Sequence, residues 1–312
     1  MVDIALATFN GEKYLPRFLE SLLNQTYSKW HLWVRDDGSN DRTVEILQEF
    51  KCHHPGIVTI VEDNAGHVGI NNNFERVLGH TTREYIMLAD QDDVWLDNKI
   101  AKSVKEMDLG SRNCGSSVPL LIYSDLTVID SKEKILSKSY WRLTAMRPDD
   151  GLKISRLLTQ NVVIGCTVIM NRALLKVAIP FPREAIMHDW WLALVAVATG
   201  KCKYIKDPLI LYRQHDSNAV GTQQWRWWSV FVKFLKGRSN INAVREHIHA
   251  TQAQASALVN SIRADLHPDA YMSANMYATL GGCSCVARRI KAFKGGFFQQ
   301  GVVRNVIFYL AL

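Results

Sequence analysis

Four short apolar runs alternate with amphipathic, helix-like segments in the first third of the chain. The runs are rich in β-branched and aromatic side chains, as strands are, and they cover residues 2–7, 30–34, 57–61 and 85–89. Between the first two runs, apolar residues recur at helical spacing from Leu15 to Leu23. This alternation predicts an α/β fold, in which a mainly parallel sheet is covered by helices on both faces.

Polar side chains follow these apolar runs at the points where the predicted strands end. They are Thr8, Asn10, Asp36, Asp37, Asp90 and Asp92. Ligands of parallel sheets bind beyond the carboxyl ends of the strands, so we expect these residues to share one rim. In an extended chain, Asp90 and Asp92 would point to the same side, about 6.7 Å apart. That spacing suits a divalent cation held by oxygen ligands, although an isolated acidic pair is also typical of a solvated turn.

Seven segments of the chain, taken in order, carry a resemblance to a known family. They are residues 7–15 (ATFNGEKYL), 21–27 (SLLNQTY), 34–39 (VRDDGS), 89–95 (ADQDDVW), 161–167 (NVVIGCT), 188–191 (HDWW) and 212–215 (YRQH). Together they resemble the family-2 inverting glycosyltransferases of the GT-A fold, and residues 89–95 resemble the metal motif of their bacterial rhamnosyltransferase-like branch. The resemblance covers roughly the first 220 residues and implies a Rossmann-like GT-A domain over residues 1–220. Residues 221–312 carry no motif of the family, and their charge and apolar spacing predict a basic, mostly helical C-terminal region.

The resemblance also implies an activity, a donor and an acceptor. The chain would be a metal-dependent inverting glycosyltransferase (EC 2.4) that uses a dTDP- or UDP-sugar, and the resemblance to the rhamnosyltransferase-like branch implies dTDP-L-rhamnose. The acceptor would be a hydroxyl group of a lipid-linked surface polysaccharide of the O-antigen or capsule type. The implied nucleotide-binding residues are Thr8, Asn10, Glu12, Asp36, Asp37 and Asp90. Among them, Asp36 would accept a hydrogen bond from the imide N–H of the pyrimidine. Mg²⁺ or Mn²⁺ would be held by Asp90, Asp92 and His215.

Asp189 is the implied general base, because an inverting transfer needs one carboxylate to take the proton from the acceptor hydroxyl. It also precedes an apolar, helix-like run, so a role as helix N-cap is the competing interpretation. The residues implied around the donor and acceptor sugars are Gln91, Asp93, Asn161, Gly165, Cys166, His188, Trp190 and Arg213.

Several of these assignments have alternatives. Asp93 either bonds the sugar or supports the metal ligands, and His188 is a positioning or packing group rather than a second base. Cys166 has the character of a small buried hydrophobe rather than a nucleophile. Arg213 could donate to the phosphates, and a lone histidine such as His215 is usually structural.

Positive charge is concentrated in the C-terminal part of the chain. Residues 1–220 carry 26 Lys and Arg against 27 Asp and Glu, whereas residues 221–312 carry 11 against 3. Within residues 225–236, aromatic and aliphatic residues form one helical face, and Arg226, Lys233 and Lys236 lie off it. This pattern is typical of a basic helix on an anionic membrane, or else of an ordinary helix packed on the catalytic domain. Nucleic acid is not an expected partner, because no recognition motif accompanies the basic residues.

The cysteines and the apolar runs of the chain predict where in the cell the protein is located. The six cysteines have no regular spacing and no secretory leader precedes them, which indicates a reducing compartment. The longest apolar runs are about half of the roughly 20 residues that span a bilayer. We therefore expect a cytoplasmic enzyme that lies peripherally at the inner face of the cell membrane.

Two other functions would use a similar sheet. A sugar nucleotidyltransferase normally has a glycine-rich phosphate loop after its first strand, but residues 8–14 (TFNGEKY) occupy that place. A non-catalytic sugar-nucleotide sensor or assembly scaffold would not need Asp90, Asp92 and Asp189. The presence of all three carboxylates therefore favours the enzyme.

Overall fold

The computed structural model describes residues 1–63, 65–214 and 241–312. The strands in these ranges are β1 (Val2–Thr8), β2 (Trp30–Asp36), β3 (Val58–Ile60), β4 (Tyr85–Ala89), β5 (Val94–Trp95), β6 (Leu120–Ile129), β7 (Ile135–Ser137), β8 (Ile169–Asn171) and β9 (Lys201–Arg213). The α-helices are α1 (Leu15–Leu23), α2 (Thr43–His53), α3 (Ile70–His80), α4 (Lys99–Cys114), α5 (Tyr140–Leu143), α6 (Ile154–Leu157), α7 (Arg172–Ala178), α8 (His188–Thr199), α9 (Ile241–Ser261), α10 (Pro268–Ala278), α11 (Cys285–Lys294) and α12 (Val302–Ala311). Each of the four predicted runs contains a strand.

One mixed sheet organises the molecule. Its strand order is β3-β2-β1-β4-β8-β6-β9-β5, and β7 pairs with β6 outside this path. The N-terminal strands β3, β2, β1 and β4 are mutually parallel, whereas β8 runs antiparallel to β4 and β6. Strand β1 reads as an almost continuous apolar run because both of its faces are buried under helices. The predicted α/β fold with a mainly parallel, helix-covered sheet is confirmed.

The C-terminal helices α9 to α12 pack on the same hydrophobic core as the sheet and its helices. In α9, the imidazole of His247 stacks on the indole of Trp190, with ring centroids 5.9 Å apart. The predicted helical character of the C-terminal region holds for its described residues, 241–312. The domain boundary at residue 220 stays a prediction.

Two predicted features fall outside the described residues. They are the metal ligand His215 and the amphipathic helix within residues 225–236. Among the helices that the structure describes, none is both long and apolar enough to cross a membrane.

Candidate active site

The carboxyl ends of β1, β2 and β4 form one rim, as expected. Thr8 at the end of β1 pairs in register with Asp36 at the end of β2, and β4 lies on the other side of β1. The Thr8 hydroxyl donates to Oδ1 of Asp36 at 2.8 Å. Ser39 donates to the same carboxylate through its hydroxyl at 2.6 Å and its N–H at 2.7 Å, and the N–H of Gly38 donates at 3.1 Å. A nucleobase N–H would therefore reach Asp36 by displacing a rotatable hydroxyl.

The loop after β1 is fixed to the loop after β2 by two of the predicted nucleotide-binding residues. The side-chain oxygen of Asn10 accepts from the N–H of Asn40 at 3.0 Å, and the Glu12 carboxylate accepts from the N–H of Arg42 at 3.0 Å. Asn10 has a φ of 48°, in the left-handed region that asparagine tolerates better than most residues. Both side chains are exposed, so they shape the outer surface of the rim.

Asp37 points into the protein instead of toward the rim. It is 2% exposed, and its carboxylate accepts from Arg35 at 2.9 Å and from the N–H groups of Val68 and Gly69 at 2.8 and 2.9 Å. Arg35, which is also buried, forms a second ion pair with Asp63 at 2.7 Å. The assignment of Asp37 to the nucleotide site is therefore corrected. Its carboxylate holds the loop before α3 in place.

An exposed aromatic residue at the rim was not predicted from the sequence. Phe9 is 45% exposed, and its ring centroid lies 4.8 Å from that of His67. An aromatic face beside Asp36 is suited to stacking on a nucleobase. The signal in the sequence was an aromatic side chain in a polar turn directly after a strand.

The acidic segment after β4 forms a turn, so its predicted extended geometry is wrong. Gln91 and Asp92 occupy the turn between β4 and β5. The Gln91 amide accepts from the N–H of Phe9 at 3.0 Å and donates to the Phe9 carbonyl at 2.9 Å. These two bonds hold the Gln91 side chain against the loop after β1. The predicted sugar contact of Gln91 stays a prediction, since the residue is partly exposed.

Three potential metal ligands meet beneath this turn. The carboxylates of Asp90 and Asp93 and the sulfur of Cys166 lie within 4.8 Å of one another. Asp93 and Cys166 are each 0% exposed, so neither can contact a sugar, and that assignment is corrected for both. Oδ1 of Asp93 accepts from the N–H of Arg213 at 3.2 Å, whereas its buried Oδ2 has no hydrogen-bond partner among the described residues. Of the two roles predicted for Asp93, support of the metal ligands is the one that fits.

Burial and neighbouring negative charges raise the pKa values of two carboxyl groups at the acidic turn. Burial, and then the charges of Asp92 and Asp189, raise the pKa of Asp90 to about 7. Burial and the charges of Asp92 and Asp90 likewise raise the pKa of Asp93 well above its usual range. A bound divalent cation would stabilise the ionised carboxylates, and carboxylate oxygens are the ligands that hard cations prefer. The carboxylates at this turn therefore fit a hard cation such as Mg²⁺ or Mn²⁺, and Asp90 and Asp92 are the partly exposed ones.

A buried lysine lies under the acidic turn and was missed from the sequence. The ammonium group of Lys99 donates to the carbonyl of Cys166 at 3.0 Å and sits 4.2 Å from the ring centroid of Trp95. Burial lowers its pKa to about 8, against the opposing influence of Asp93 and Asp90. The signal was its helical spacing with the buried residues Ser103 and Met107 of α4, which places Lys99 on the inward face.

Asp189 is the second residue of α8, and the residue before this helix, Met187, takes the cap position. The competing N-cap interpretation of Asp189 is therefore wrong. Its carboxylate, in a residue 6% exposed, accepts from the N–H of Gly165 at 2.9 Å, from the amide of Asn161 at 3.2 Å and from the N–H of Trp190 at 2.6 Å. Burial raises its pKa to about 6. Such a group is ionised at neutral pH and is still basic enough to accept a proton.

The neighbours of Asp189 divide into positioning and packing groups. Asn161 and Gly165 hold the carboxylate through the hydrogen bonds described above. His188 is buried and stacks on Phe74 with ring centroids 3.8 Å apart, and burial lowers its pKa to about 3. A neutral, stacked imidazole agrees with the packing interpretation of His188. Trp190 donates its indole N–H to the carbonyl of Leu157 at 2.6 Å inside the core, so its assignment to a sugar is corrected.

Arg213 is buried beneath the rim. Its guanidinium pairs with Glu133 at 3.0 Å, donates to the carbonyl of Asp92 at 3.0 Å, and lies 4.7 Å from the ring centroid of Tyr14. These contacts fix the acidic turn from below. They replace the predicted contact of Arg213 with the donor phosphates by a supporting role.

Replacement of Gly165 by Ala tests whether the position of Asp189 matters. An added Cβ would lie 3.0 Å from Nε2 of His188 and 3.5 Å from Cβ of Asp189, so α8 must shift by a few tenths of an ångström. We expect kcat for sugar transfer to fall by about tenfold, with little change in donor affinity, because only the proton acceptor moves. Steady-state kinetics with donor binding by calorimetry measures both effects. Gly79, where an added Cβ meets nothing within 4 Å, provides the control Gly79→Ala.

The sequence of the chain matches a known protein family and is similar to the sequences of known proteins. Residues 3–177 match the family model described as Glycosyl transferase family 2. The dTDP-rhamnosyl transferase RfbG of Shigella flexneri is 28% identical over 229 residues, which cover 69% of this chain and 73% of the relative. The UDP-Glc:alpha-D-GlcNAc-diphosphoundecaprenol beta-1,3-glucosyltransferase WfgD of Escherichia coli is 25% identical over 240 residues, with coverage of 76% and 87%.

Solved structures show the same fold at low sequence identity. Staphylococcus aureus TarS in complex with UDP-GlcNAc superimposes with a TM-score of 0.58 at 14% identity, and the match covers 89% of this chain and 70% of that one. The mannosyltransferase PcManGT from Pyrobaculum calidifontis, in complex with GDP-Man and Mn²⁺, gives a TM-score of 0.52 at 16% identity, with coverage of 99% and 86%. The GT-A fold implied by the sequence is thereby confirmed.

Proposed function

The chain belongs to glycosyltransferase family 2, and from that premise we propose that it moves L-rhamnose from dTDP-L-rhamnose to a lipid-linked glycan with inversion at the anomeric carbon. As a member of this family it is a nucleotide-sugar glycosyltransferase of polysaccharide biosynthesis. The observation that carries the mechanism is that the buried carboxylate of Asp189 accepts from the N–H of Gly165 at 2.9 Å, while the sulfur of the next residue, Cys166, lies within 4.8 Å of a carboxylate oxygen of Asp90. One proton acceptor thus lies close to the proposed binding site of the donor diphosphate.

The nucleotide is held at the rim formed by β1 and β2. Phe9 stacks on the base, and Asp36 accepts its imide N–H after the hydroxyl of Thr8 or Ser39 rotates away. The choice of thymine and rhamnose is supported by the similarity to RfbG, which is described as a dTDP-rhamnosyl transferase. Uracil presents the same imide group, so base recognition through Asp36 admits both pyrimidines.

Asp90 and Asp92 would hold Mg²⁺ or Mn²⁺ at the acidic turn, and the related fold of PcManGT was solved in complex with GDP-Man and Mn²⁺. When bound, the cation offsets the negative charge that develops on the departing diphosphate. Arg213 fixes the turn from beneath through its bonds to Asp93 and to the carbonyl of Asp92. Lys99, which donates to the carbonyl of Cys166, adds a second positive charge under the turn.

The acceptor hydroxyl gives its proton to Asp189 as its oxygen attacks the anomeric carbon. The bond from that carbon to the nucleotide diphosphate breaks on the opposite face, so the configuration inverts. The hydrogen bonds from Asn161 and Gly165 hold the carboxylate in one orientation before the substrate arrives. Pre-organisation of this kind lowers the barrier because no side chain must be ordered during reaction.

The acceptor is a glycan attached to a lipid through a diphosphate. This assignment is supported by the similarity to WfgD, whose acceptor is described as alpha-D-GlcNAc-diphosphoundecaprenol.

Activity should depend on pH through Asp189. Since the raised pKa of this carboxyl group is about 6, the base is protonated below that pH and ionised above it. We expect kcat at saturating Mn²⁺ to rise about tenfold per pH unit below pH 6 and to level off above about pH 7. A pH series of initial rates measures this, and a profile that is flat from pH 5 to 8 would remove Asp189 from the proton transfer.

A panel of nucleotide sugars tests the donor assignment. A true donor stabilises the folded state by mass action, so dTDP-L-rhamnose with Mn²⁺ should raise Tm more than UDP-glucose, UDP-GlcNAc or GDP-mannose. Equal Tm shifts with dTDP-L-rhamnose and with free dTDP would show that the enzyme does not recognise the sugar. A larger shift with another donor would replace rhamnose by that sugar.

A further inference from the structure

The C-terminal helix α11 exposes a row of large apolar side chains. Val286, Ile290 and Phe293 follow one another at the spacing of a single helical face, and they are 68%, 50% and 65% exposed. Arg289 and Lys294 flank the row on either side of the helix. An apolar stripe bordered by cations is the pattern of a helix that lies in a membrane interface.

The last helix, α12, continues the apolar surface. Its exposed side chains are Val302, Val303, Val306 and Leu310, and no charged residue separates them on that face. The opposite face of α12 is buried in the core through Ile307 and Phe308. Helix α12 is therefore anchored in the core through one face, while its other, apolar face stays exposed to solvent in the folded protein.

Two sets of contacts join α11 and α12 into one surface. Arg289 donates to the carbonyl of Leu310 at 3.3 Å, at the end of the α12 row. An aromatic chain also links the two helices, since the ring of Phe298 lies 5.5 Å from that of Phe293 and 5.7 Å from that of Tyr309. We call this combined surface of α11 and α12 the C-terminal apolar face.

The segment that carries the C-terminal apolar face holds charge of one sign. Residues 283–312 contain five Lys and Arg and no Asp or Glu. Anionic lipid headgroups attract a segment with this charge, whereas a neutral partner would gain no electrostatic attraction from it. A neighbouring copy of this chain would bring the same positive charge and would be repelled.

The C-terminal apolar face is joined directly to the segment that holds the proposed base. Between the two helices, the N–H of Gln300 donates to the side chain of Gln160 at 2.8 Å, and the hydroxyl of Thr159 donates to the carbonyl of Phe298 at 2.9 Å. Asn161, the next residue along, donates to Asp189. A surface that rested on the C-terminal apolar face would lie close to the acceptor side of the site.

We propose that the C-terminal apolar face docks the enzyme on an anionic lipid bilayer, with the apolar side chains of α11 and α12 at the acyl boundary and Arg289 and Lys294 at the headgroups. Docking brings Asp189 to the membrane surface, where a lipid-linked acceptor presents its glycan. The orientation toward the acceptor rests on the proposed function, but binding to lipid does not.

Sedimentation of the full chain with vesicles tests the proposal. At low salt we expect the chain to bind phosphatidylglycerol vesicles and to bind phosphatidylcholine vesicles more weakly. Binding to phosphatidylglycerol vesicles should weaken as the salt concentration rises. Replacing Val286, Ile290 and Phe293 together by Ser should lower the partition coefficient at least about tenfold, because three apolar side chains no longer leave water. Failure of the wild-type chain to bind, or equal binding by the variant, would overturn the proposal.

Matched controls separate docking from other effects. Ile135, Leu136 and Leu143 are exposed to a similar degree in β7 and α5, so their triple replacement by Ser should leave vesicle binding unchanged. Tm and nucleotide binding, measured on both variants without lipid, report the fold and the donor site independently of the membrane. Analytical ultracentrifugation completes the test, since a dimer that the α11 substitutions dissociate would assign the face to a second copy instead.

Discussion

Replacing Asp189 by Asn is expected to lower kcat for sugar transfer by about 10²-fold or more. The amide keeps the size of the carboxylate and can still accept a hydrogen bond from Gly165 through its oxygen, but it cannot take a proton at neutral pH. Donor affinity should stay close to that of the wild-type enzyme, because Asp189 does not contact the nucleotide in this account. Tm should fall, because the new N–H₂ group cannot accept from Asn161 and Trp190 as the carboxylate oxygen does. Rates from a coupled assay of nucleotide release, together with calorimetric donor titration, measure the two effects separately.

The matched control for Asp189→Asn is Asp207→Asn. Asp207 is an exposed carboxylate paired with Lys102, and surface pairs of this kind contribute little to stability. It should leave kcat unchanged. Near-normal turnover by a stable Asp189→Asn variant would show that the hydrogen bonds of Asp189 only hold α8 against the segment at Asn161.

Replacing Asp92 by Asn is expected to reduce transfer on the order of 10²-fold and to weaken the dependence of donor binding on Mn²⁺. An amide is a poorer ligand than a carboxylate for a hard cation, and it also removes one of the charges that raise the pKa of Asp90. Titration of activity with Mn²⁺, at fixed donor concentration, should show a higher half-saturating concentration in the variant.

Asp97→Asn provides the comparison for Asp92→Asn, since Asp97 is exposed and lies outside the acidic turn. The activity of the Asp97→Asn variant should depend on the Mn²⁺ concentration in the same way as that of the wild-type enzyme. Full activity of the wild-type enzyme in EDTA would contradict the metal assignment, whatever the variants do.

Much of the fold could be predicted because the information is local. The strands β1, β2 and β4 are apolar runs of strand length, and α1 has an unbroken helical period, so their existence follows from pattern alone. The shared rim of Thr8, Asp36 and Asp90 then follows from the rule that parallel strands end on the same edge. These parts needed no knowledge of tertiary packing.

The directions of individual side chains at the site could be predicted less well. Asp36 and Asp37 are adjacent at a strand end, where successive side chains point to opposite sides, so only one of them can face the rim. Trp190 follows Asp189 in a helix, and a step of one residue turns it away from the site into the core. In both cases neighbours in sequence were assigned to one site, although the local geometry separates them.

Lys99 and the turn at Gln91 depend on contacts between distant parts of the chain. Lys99 donates to the carbonyl of Cys166, and the Gln91 amide pairs with the backbone of Phe9. Helical spacing in α4 indicates that Lys99 faces inward, but neither contact partner is near in sequence, so spacing could not reveal the partners.

Transfer of labelled sugar is the most direct test of the central claim. The wild-type enzyme, dTDP-L-[¹⁴C]rhamnose, Mn²⁺ and a lipid extract containing diphosphate-linked glycans are incubated, and radioactivity in the lipid phase is counted with and without EDTA. We predict that the wild-type enzyme labels the lipid, that EDTA prevents labelling, and that Asp189→Asn labels it at about one hundredth of the rate or less. Equal labelling by the wild-type enzyme and the Asp189→Asn variant would contradict the account.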